Sequence, residues 1–411
     1  MNMKAERSFP KAVITKKGAL WLKQGHVWIY EDEVVRIDEG IENGALTDIV
    51  SESGTYLGTG FLSKKSKIQI RLVSRNANDR FDRSFWRRRV QYAWEYRKSV
   101  MREHLSCCRI IFGEADGFPG LTIDRYDSIL VAQITSYGME QIKELIYSLL
   151  LEVLTEDGQQ ISAVYERNDL PLREKEGLKQ EKGWAHLSDI PIPDNPRISI
   201  CENGIIYDVD VENGQKTGFF LDQKYNRRAV RELAKGKYVL DCFTHTGSFA
   251  LNAAAGGAAH VTAADISEFA IRCAEKNASR NSLEDKIDFR ICDVFSLLTE
   301  LSAQGRKEYD FIILDPPAFT KSRKTASSAE RGYKEINMKA MRILPRGGYL
   351  ATASCSHFMP HSQFEQMLKS AARDADVQLR QIACRSQAPD HPILWNVPET
   401  DYLKFYLFQV V

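Results

Sequence analysis

Across the first 75 residues apolar positions come in short runs, Ala12-Val13-Ile14, Val27-Trp28-Ile29-Tyr30 and Ile68 to Val73, separated by Gly18, Gly25, Gly40, Gly44, Gly54, Gly58 and Gly60. Alternation broken by glycine marks short strands and turns, and it predicts a small β-barrel over residues 1–75. The spacing then becomes helical. In FDRSFWRRRVQYAWEYRKSVMREHL the apolar residues Phe85, Val90, Ala93, Trp94 and Val100 fit one face of an amphipathic helix whose other face is dense in arginine. This helix opens a second region, 76–190, in which strands at Ile129 to Ile134 and Ala163 to Tyr165 flank a helix over Met139 to Leu154, a compact α/β unit. A hairpin is expected from Ile198 to Val211, turning at Glu202-Asn203-Gly204.

The last region, 191–411, repeats a strand-helix rhythm. Strands are expected at Tyr238 to Phe243, Val261 to Ala264, Ile287 to Ile291, Phe311 to Leu314 and Tyr349 to Ser354. Helices are expected at Ser248 to Ala255, Glu268 to Arg280, Ala329 to Leu344 and from Ser362, and closing strands near Val377 and Tyr402 to Val410. Repeated β-α-β units require a parallel sheet with helices on both faces. No helix separates the last two strands, so an antiparallel edge pair is expected. The fold class is therefore α/β, with a mixed seven-stranded sheet behind a β-barrel and a central α/β domain.

Composition narrows the picture only slightly. A chain of 411 residues with 43% hydrophobic and 27% charged residues is a folded protein of more than one domain, which sets aside disordered and fibrous classes. The net charge of +1 does not speak against nucleic-acid binding, because the distribution of basic residues matters more than their sum. Neither an apolar leader nor a membrane-length apolar run is visible, so a cytoplasmic protein without membrane contact is expected. The 8 cysteines form no C-x-x-C pair, so no metal is expected and most should be reduced core residues.

Candidate chemistry gathers at the ends of the last region's strands, where open α/β sheets bind their ligands. The first strand ends in Asp241-Cys-Phe-Thr-His-Thr-Gly247, and Gly247 permits close approach of a cofactor to the backbone. Asp265 ends the next strand 18 positions later (247 to 265) and Asp293 ends the third. Carboxylates so placed suit the hydroxyls and amino group of an adenosyl ligand, and their competing reading is helix capping. The loop lacks the G-x-G-x-x-G of a pyrophosphate binder, so the cofactor need not carry one. The fourth strand ends in Asp315-Pro316-Pro317, which stops the strand and fixes the backbone past its tip. The fifth ends in Ser354-Cys355-Ser356, which brings a thiol to the same sheet edge. C5 of a pyrimidine is a poor nucleophile until a thiolate adds to C6. Cys355 can be that thiolate, a protonated Asp315 can donate to cytosine N3, and the base that later removes the C5 proton is not identifiable.

At these residues the chain resembles the RlmI-like family of bacterial 23S rRNA cytosine-C5 methyltransferases, which carry an N-terminal PUA domain. The resemblance covers nearly the whole sequence, through Lys23 to Tyr30, Phe112 to Tyr126, Gln215 to Gln223, Asp241 to Phe249, Asp315 to Phe319, Arg331 to Asn337 and Ser354 to Ser356. It implies a Rossmann-like class I methyltransferase domain using S-adenosyl-L-methionine and acting on 23S rRNA to form 5-methylcytosine. It implies that the segment from Gln215 to Asn226 folds over the cofactor. It implies cofactor contacts at Phe220, Asp222, Gln223, Asn226, Asp241, Phe243, Gly247, Asp265, Ser267, Asp293 and Asp315, with Cys355 as nucleophile.

RNA would be held by the barrel and by the segment from Arg71 to Arg109. There Arg71, Arg75, Arg80, Arg83, Arg87, Arg88, Arg89, Arg97, Lys98, Arg102 and Arg109 are opposed within the segment only by Asp79, Asp82, Glu95 and Glu103. Interleaved aromatics suit phosphate contact with base stacking, and Arg87, Arg88 and Arg89 are the expected RNA-binding residues. A plain solvated face is the competing reading. A homodimer is a candidate assembly that the sequence does not decide. Two other functions stay open: methylation of another base, such as guanine N7, with Cys355 structural, and a noncatalytic RNA-binding assembly factor.

Overall fold

The computed structural model describes residues 8–187, 191–305, 307–319 and 326–411. The chain divides into two compact units. The first comprises Met1–Ile200, Val209–Leu221 and Pro389–Thr400, and the second Cys201–Asp208, Asp222–Ala388 and Asp401–Val411.

The first unit begins with β1 (Lys11–Ile14), α1 (Lys16–Lys23), β2 (Trp28–Tyr30), β3 (Val34–Ile37), β4 (Leu46–Ser51), β5 (Tyr56–Leu62) and β6 (Ile68–Ser74). The strands form one sheet in the order β2-β6-β5-β4-β1-β3. Alternate residues Ala12, Ile14, Ile49, Leu62 and Ile70 meet in one apolar cluster. Gly60 is required by close strand approach, since a Cβ there would collide with the Arg71 carbonyl. Helix α1 was not foreseen in a region read as strands. The Thr15 side chain starts it by accepting from Gly18 N, and Ala19 and Leu22 join the cluster.

Next come α2 (Arg83–Met101), β7 (Cys107–Phe112), β8 (Leu121–Tyr126), β9 (Ile129–Ile134), α3 (Tyr137–Glu156), β10 (Ala163–Asn168), α4 (Leu172–Glu176) and β11 (Glu181–Trp184). These strands form a second sheet, ordered β11-β10-β9-β8-β7. Asp82 caps α2 by accepting from Phe85 N at 2.9 Å. Phe85, Trp86, Val90, Ala93, Trp94 and Met101 are buried, and Phe61 stacks on Trp86, whereas Val100 is only half-buried.

The arginines of this region are opposed by acids that arrive from later in the chain. Arg83 and Arg87 reach Glu152 of α3, Arg87 also reaches Glu156, Lys98 reaches Asp157, and Arg109 binds Asp124. Arg97 is wholly buried. Its guanidinium grips Asp116 at 2.6 and 2.7 Å and donates to the carbonyls of Arg109 and Asp390.

The hairpin of β12 (Arg197–Glu202) and β13 (Ile205–Asp210) turns on Asn203 (φ 53°) and Gly204 (φ 73°). Two successive left-handed residues are what a tight two-residue hairpin needs.

The second unit adds α5 (Lys224–Leu233), β14 (Tyr238–Cys242), α6 (Ser248–Ala255), β15 (His260–Asp265), α7 (Glu268–Arg280), β16 (Ile287–Ile291), α8 (Val294–Gln304), β17 (Phe311–Leu314), α9 (Ala326–Ile343), β18 (Tyr349–Ser354), α10 (His361–Asp374), β19 (Leu379–Arg385) and β20 (Lys404–Val410). The sheet order is β16-β15-β14-β17-β18-β20-β19. All strands but β20 run one way, and β20 lies antiparallel between β18 and β19. Leu240, Ile312, Leu350, Tyr406 and Phe408 share one apolar cluster with α8, α9 and α10. On the opposite face, Phe249 of α6 stacks on Phe405. Inside this unit Arg227 is buried against Glu202, with contacts of 2.6 and 2.9 Å.

The eight cysteines form no disulfide, and only Cys107, Cys108 and Cys242 are buried. Cys201 and Cys384 are exposed because one lies on the hairpin and the other on the sheet's edge strand, which corrects the expectation that most are core. Among the described residues no helix is long and apolar enough to cross a membrane.

Replacing Arg97 with Met would leave the buried Asp116 carboxylate without its cation. We expect Arg97→Met to lose about 3–5 kcal/mol of stability in denaturant unfolding of the full chain, and a loss below about 1 kcal/mol would refute a structural role for this arginine.

Candidate active site

In the second unit the chain turns left from β14 to β15 and returns on the other side to β17, so strand order reverses between β14 and β17. A crevice opens at such a switch point beyond the strand tips. The loop after β14 is tightly wound, with positive φ at Phe243 (63°), His245 (51°) and Gly247 (80°). Such conformations cost free energy in residues other than glycine and persist only where the surroundings hold them. Here Thr244 N donates to Ala264 O at 3.0 Å and His245 N to Asp265 Oδ2 at 2.9 Å. A Cβ on Gly247 would stand 2.9 Å from Cβ of Ala274, so this glycine also permits close packing of α7 on the loop.

Asp241 lies buried under this loop. Its Oδ2 accepts from Thr244 Oγ1 at 2.5 Å and Ala250 N at 2.9 Å, while its Oδ1 is buried without a hydrogen-bond partner. Burial pushes its carboxyl up to about 7, with the charges of Asp315 and Asp265 adding to the effect. A donor cation beside Oδ1 would satisfy the orphaned atom and draw off the proton.

Asp265 at the tip of β15 accepts from His245 N and, at 2.9 Å, from Ser267 N, one bond to each oxygen, which leaves further lone pairs. Ser267 caps α7 by accepting from Ala270 N. Asp293 caps α8 through Oδ1, which accepts from Ser296 N and Oγ at 2.8 Å. Around these polar groups stand exposed apolar side chains, Ile266 at 71% and Ile291 at 56%. Apolar surface left open beside a polar loop suits a planar ligand ring.

Asp315 follows β17. Gln223 Nε2 donates to its Oδ1 at 2.9 Å, and Asn226 Nδ2 donates to Gln223 Oε1 at 2.6 Å, which fixes the amide's orientation. Part of the residue remains exposed, yet protein crowds the carboxyl itself. Desolvation, helped by the charge of Asp222 and resisted by Arg227, pushes it up to about 7. Asp222 accepts from Tyr402 Oη at 2.6 Å through Oδ2, while its buried Oδ1 has no partner. Phe243 packs edge-on against Phe295 and Phe319, and Phe319 lies against Tyr333, so the loops after β14 and β17 share an aromatic floor.

Cys355 stands half-buried just past β18, and β18 pairs in parallel with β17, Leu314 opposite Thr352. Thiol and carboxyl therefore leave adjacent tips of one sheet edge. Phe220 is half-buried and belongs to the first unit.

The arginines of α2 differ sharply from one another. Arg87 is paired with Glu152 and Glu156. Arg89 donates to the carbonyls of Gly117 at 3.0 Å and Val73 at 2.6 Å and lies over the Phe85 ring, tying the helix to its neighbours. Arg88 is exposed, with one weak contact to Ser84 O at 3.4 Å. One turn and two turns beyond it on the same face stand Tyr92 and Tyr96, both exposed.

Reading the sequence missed Lys404, Tyr402 and Arg227. The signal for Lys404 was available, since it is the one charge in the apolar run Tyr402 to Val410 of an interior strand.

Residues 12–75 match the family of PUA-like domains, and residues 148–408 match the S-adenosylmethionine-dependent methyltransferases. A relative named ribosomal RNA large subunit methyltransferase I from Aliivibrio fischeri is 40% identical over 392 residues, 95% of this chain and 96% of its own. A protein of the same name from Shewanella amazonensis is 41% identical over 385 residues, 93% and 95% of the two chains. A solved structure from Streptococcus mutans, assigned as a SAM-dependent methyltransferase, shares the fold with TM-score 0.80 at 23% identity, covering 97% of this chain and 100% of that one. A second methyltransferase structure, complexed with SAH, gives TM-score 0.81 at 22% identity with the same coverage. Identity across nearly the full length of both partners makes this chain a member of the S-adenosylmethionine-dependent methyltransferases and, among them, of the ribosomal RNA large subunit methyltransferase I family.

Proposed function

We propose that the protein methylates C5 of a cytosine in 23S rRNA, with Cys355 as nucleophile and Asp315 as proton donor. The observation that carries this reading is a thiol and a carboxyl raised to about 7 on adjacent parallel strand tips at the sheet's switch point. The large-subunit rRNA substrate is taken from the names of its relatives.

The cleft fits S-adenosylmethionine by its orphaned acceptors. Asp241 Oδ1 and Asp222 Oδ1 are buried without partners, a deficit of about 1–3 kcal/mol each that a ligand's ammonium or hydroxyl donors would relieve. Asp265 and Asp293 would serve the ribose and adenine end, with Ile266 against the ring, while Ser267 and Gly247 shape the loops. Gln223, Asn226 and Phe243 would hold the cleft's inner wall. When bound, the cofactor supplies an electrophilic methyl group on a sulfonium.

Cys355, as thiolate, forms a bond from Sγ to C6. The displaced π electrons pass through C4 to N3, which takes the proton of Asp315. C5 is now enamine-like and takes the methyl group. Transfer of the C5 proton to water then restores the C5–C6 double bond, the sulfur leaves with its electron pair, and N3 returns its proton to Asp315. The target base must be unstacked to admit attack at C6. Footing for the RNA is assigned to the first unit, where Arg88 can meet phosphate and Tyr92 can stack on a base.

Wild-type protein should form a denaturant-resistant adduct with RNA containing 5-fluorocytosine, and Cys355→Ala should form none. A wild type that does not trap would sink the covalent mechanism, and Cys355→Ala methylating at the wild-type rate would favour another base.

Asp315 binds its proton more tightly folded (about 7) than at its ordinary 3.8, so it costs stability progressively as pH rises from about 4 to about 7, with the full cost above that. Relative to wild type, Asp315→Asn should gain stability between pH 5 and pH 8, on the order of 2 kcal/mol, while losing adduct formation. A pH-independent difference in urea unfolding would contradict the raised carboxyl.

Arg88→Glu should weaken RNA binding and reduce its salt dependence by about one ion. Arg89→Ala should instead lower the unfolding midpoint. Unchanged binding by Arg88→Glu across a salt titration would return that residue to plain surface.

A further inference from the structure

Lys404 opens β20 directly across from Ser354, the last residue of β18 before the thiol. It is 1% exposed. Its Nζ donates to Ser356 O at 2.6 Å and to Tyr402 O at 2.8 Å. An ammonium has three hydrogens, so these two carbonyls leave one more to direct. Among the described residues no carboxylate lies within ion-pair distance of it. The carboxylate that acts on it through space, Asp401, is engaged by His361 at 3.3 Å.

A buried lysine without an anion is an expensive feature. Leucine or methionine would serve β20 better if packing were the sole demand. The titratable groups that face Lys404 are Cys355 from the tip of β18 and Asp401 from the turn before β20, while Tyr333 of α9 faces Cys355 in turn. Burial lowers the ammonium to about 8, and a negative charge on Cys355 opposes that shift. The interaction is reciprocal, so the cation must favour the thiolate by the same electrostatics.

We infer that Lys404 is the positioning residue that holds Cys355 as a thiolate, both for attack on C6 and for departure from it. This rests on the reading of Cys355 as nucleophile. Lys404 transfers no proton: the thiol proton leaves to solvent, the ammonium keeps its own three, and sulfur retains the pair that later forms the bond to carbon. Anchored on the Ser356 carbonyl, the cation is fixed to the same turn that carries the thiol. Electrostatic help that is built in beforehand needs no reorganisation when the charge develops.

The test uses the full-length protein and follows iodoacetamide alkylation of each cysteine by peptide mass spectrometry from pH 6 to pH 10. Lys404→Gln keeps two amide hydrogens for the two carbonyls but removes the charge, and Lys404→Arg restores it. The Cys355 midpoint should rise by about one pH unit or more in Lys404→Gln and return most of the way in Lys404→Arg. Coincident wild-type and Lys404→Gln profiles overturn the inference. Should Lys404→Gln not fold, the wild type decides alone, because a Cys355 midpoint no lower than that of exposed Cys201 also overturns it. Trapping on 5-fluorocytosine RNA separates the two levels. A wild type that does not trap removes the nucleophile reading and this inference with it, whereas a trapping wild type with an unshifted Lys404→Gln profile removes only the role of Lys404.

Discussion

Desolvation of ionisable groups at the carboxyl ends of β14, β17 and β18 is the constraint on which the second unit's chemistry depends. Burial, with neighbouring carboxylates adding to it, holds Asp241 and Asp315 each near 7, and burial holds Lys404, beside the end of β18, near 8 against the opposing charges of Cys355 and Asp401. Groups so placed change charge state for little free energy near neutral pH, which is the condition for moving protons during a reaction at that pH. The same burial leaves acceptors such as Asp241 Oδ1 unmatched within the chain. A sheet that keeps these groups dry must be rigid, and the apolar cluster beneath β14, β17, β18 and β20 provides that rigidity.

The first unit handles charge in the opposite way. Its arginines are mostly matched, by Glu152 and Glu156 for Arg87, by Asp116 for Arg97, and by Asp124 for Arg109. The Arg97 and Arg109 pairs are buried and fix geometry more than they add stability, whereas the Arg87 pairs lie at the surface. An arginine-rich stretch therefore divides into internal braces and exposed positions, among them Arg80, Arg102 and a short stripe on α2. Arg88, Tyr92 and Tyr96 form that stripe on α2.

Much of the architecture was legible along the chain. Helices Ser248–Ala255 and Glu268–Arg280 and strands Ile287–Ile291, Phe311–Leu314 and Tyr349–Ser354 fall where periodicity puts them, because buried parallel strands leave continuous apolar runs, the edge strand Ile287–Ile291 leaves an alternation, and helices leave a 3.6-residue stripe. Helix α1 escaped notice because eight residues between glycine-punctuated strands show too few turns for a period to emerge. The strand-end residues Asp241, Asp265, Asp315 and Cys355 were equally legible, since position at a strand tip is a property of local sequence.

What the sequence determined by itself is which residues stand at strand ends and which faces are apolar, because both follow from interactions a few residues long. Which strands become neighbours was decided only in three dimensions. Insertion of β20 beside β18 brings Lys404 to the turn carrying Cys355, and α3 brings Glu152 and Glu156 to α2, from about 50 and 65 residues away along the chain. Charge matching and desolvation depend on those neighbours, so the protonation states of the site and the availability of each arginine belong to the tertiary fold.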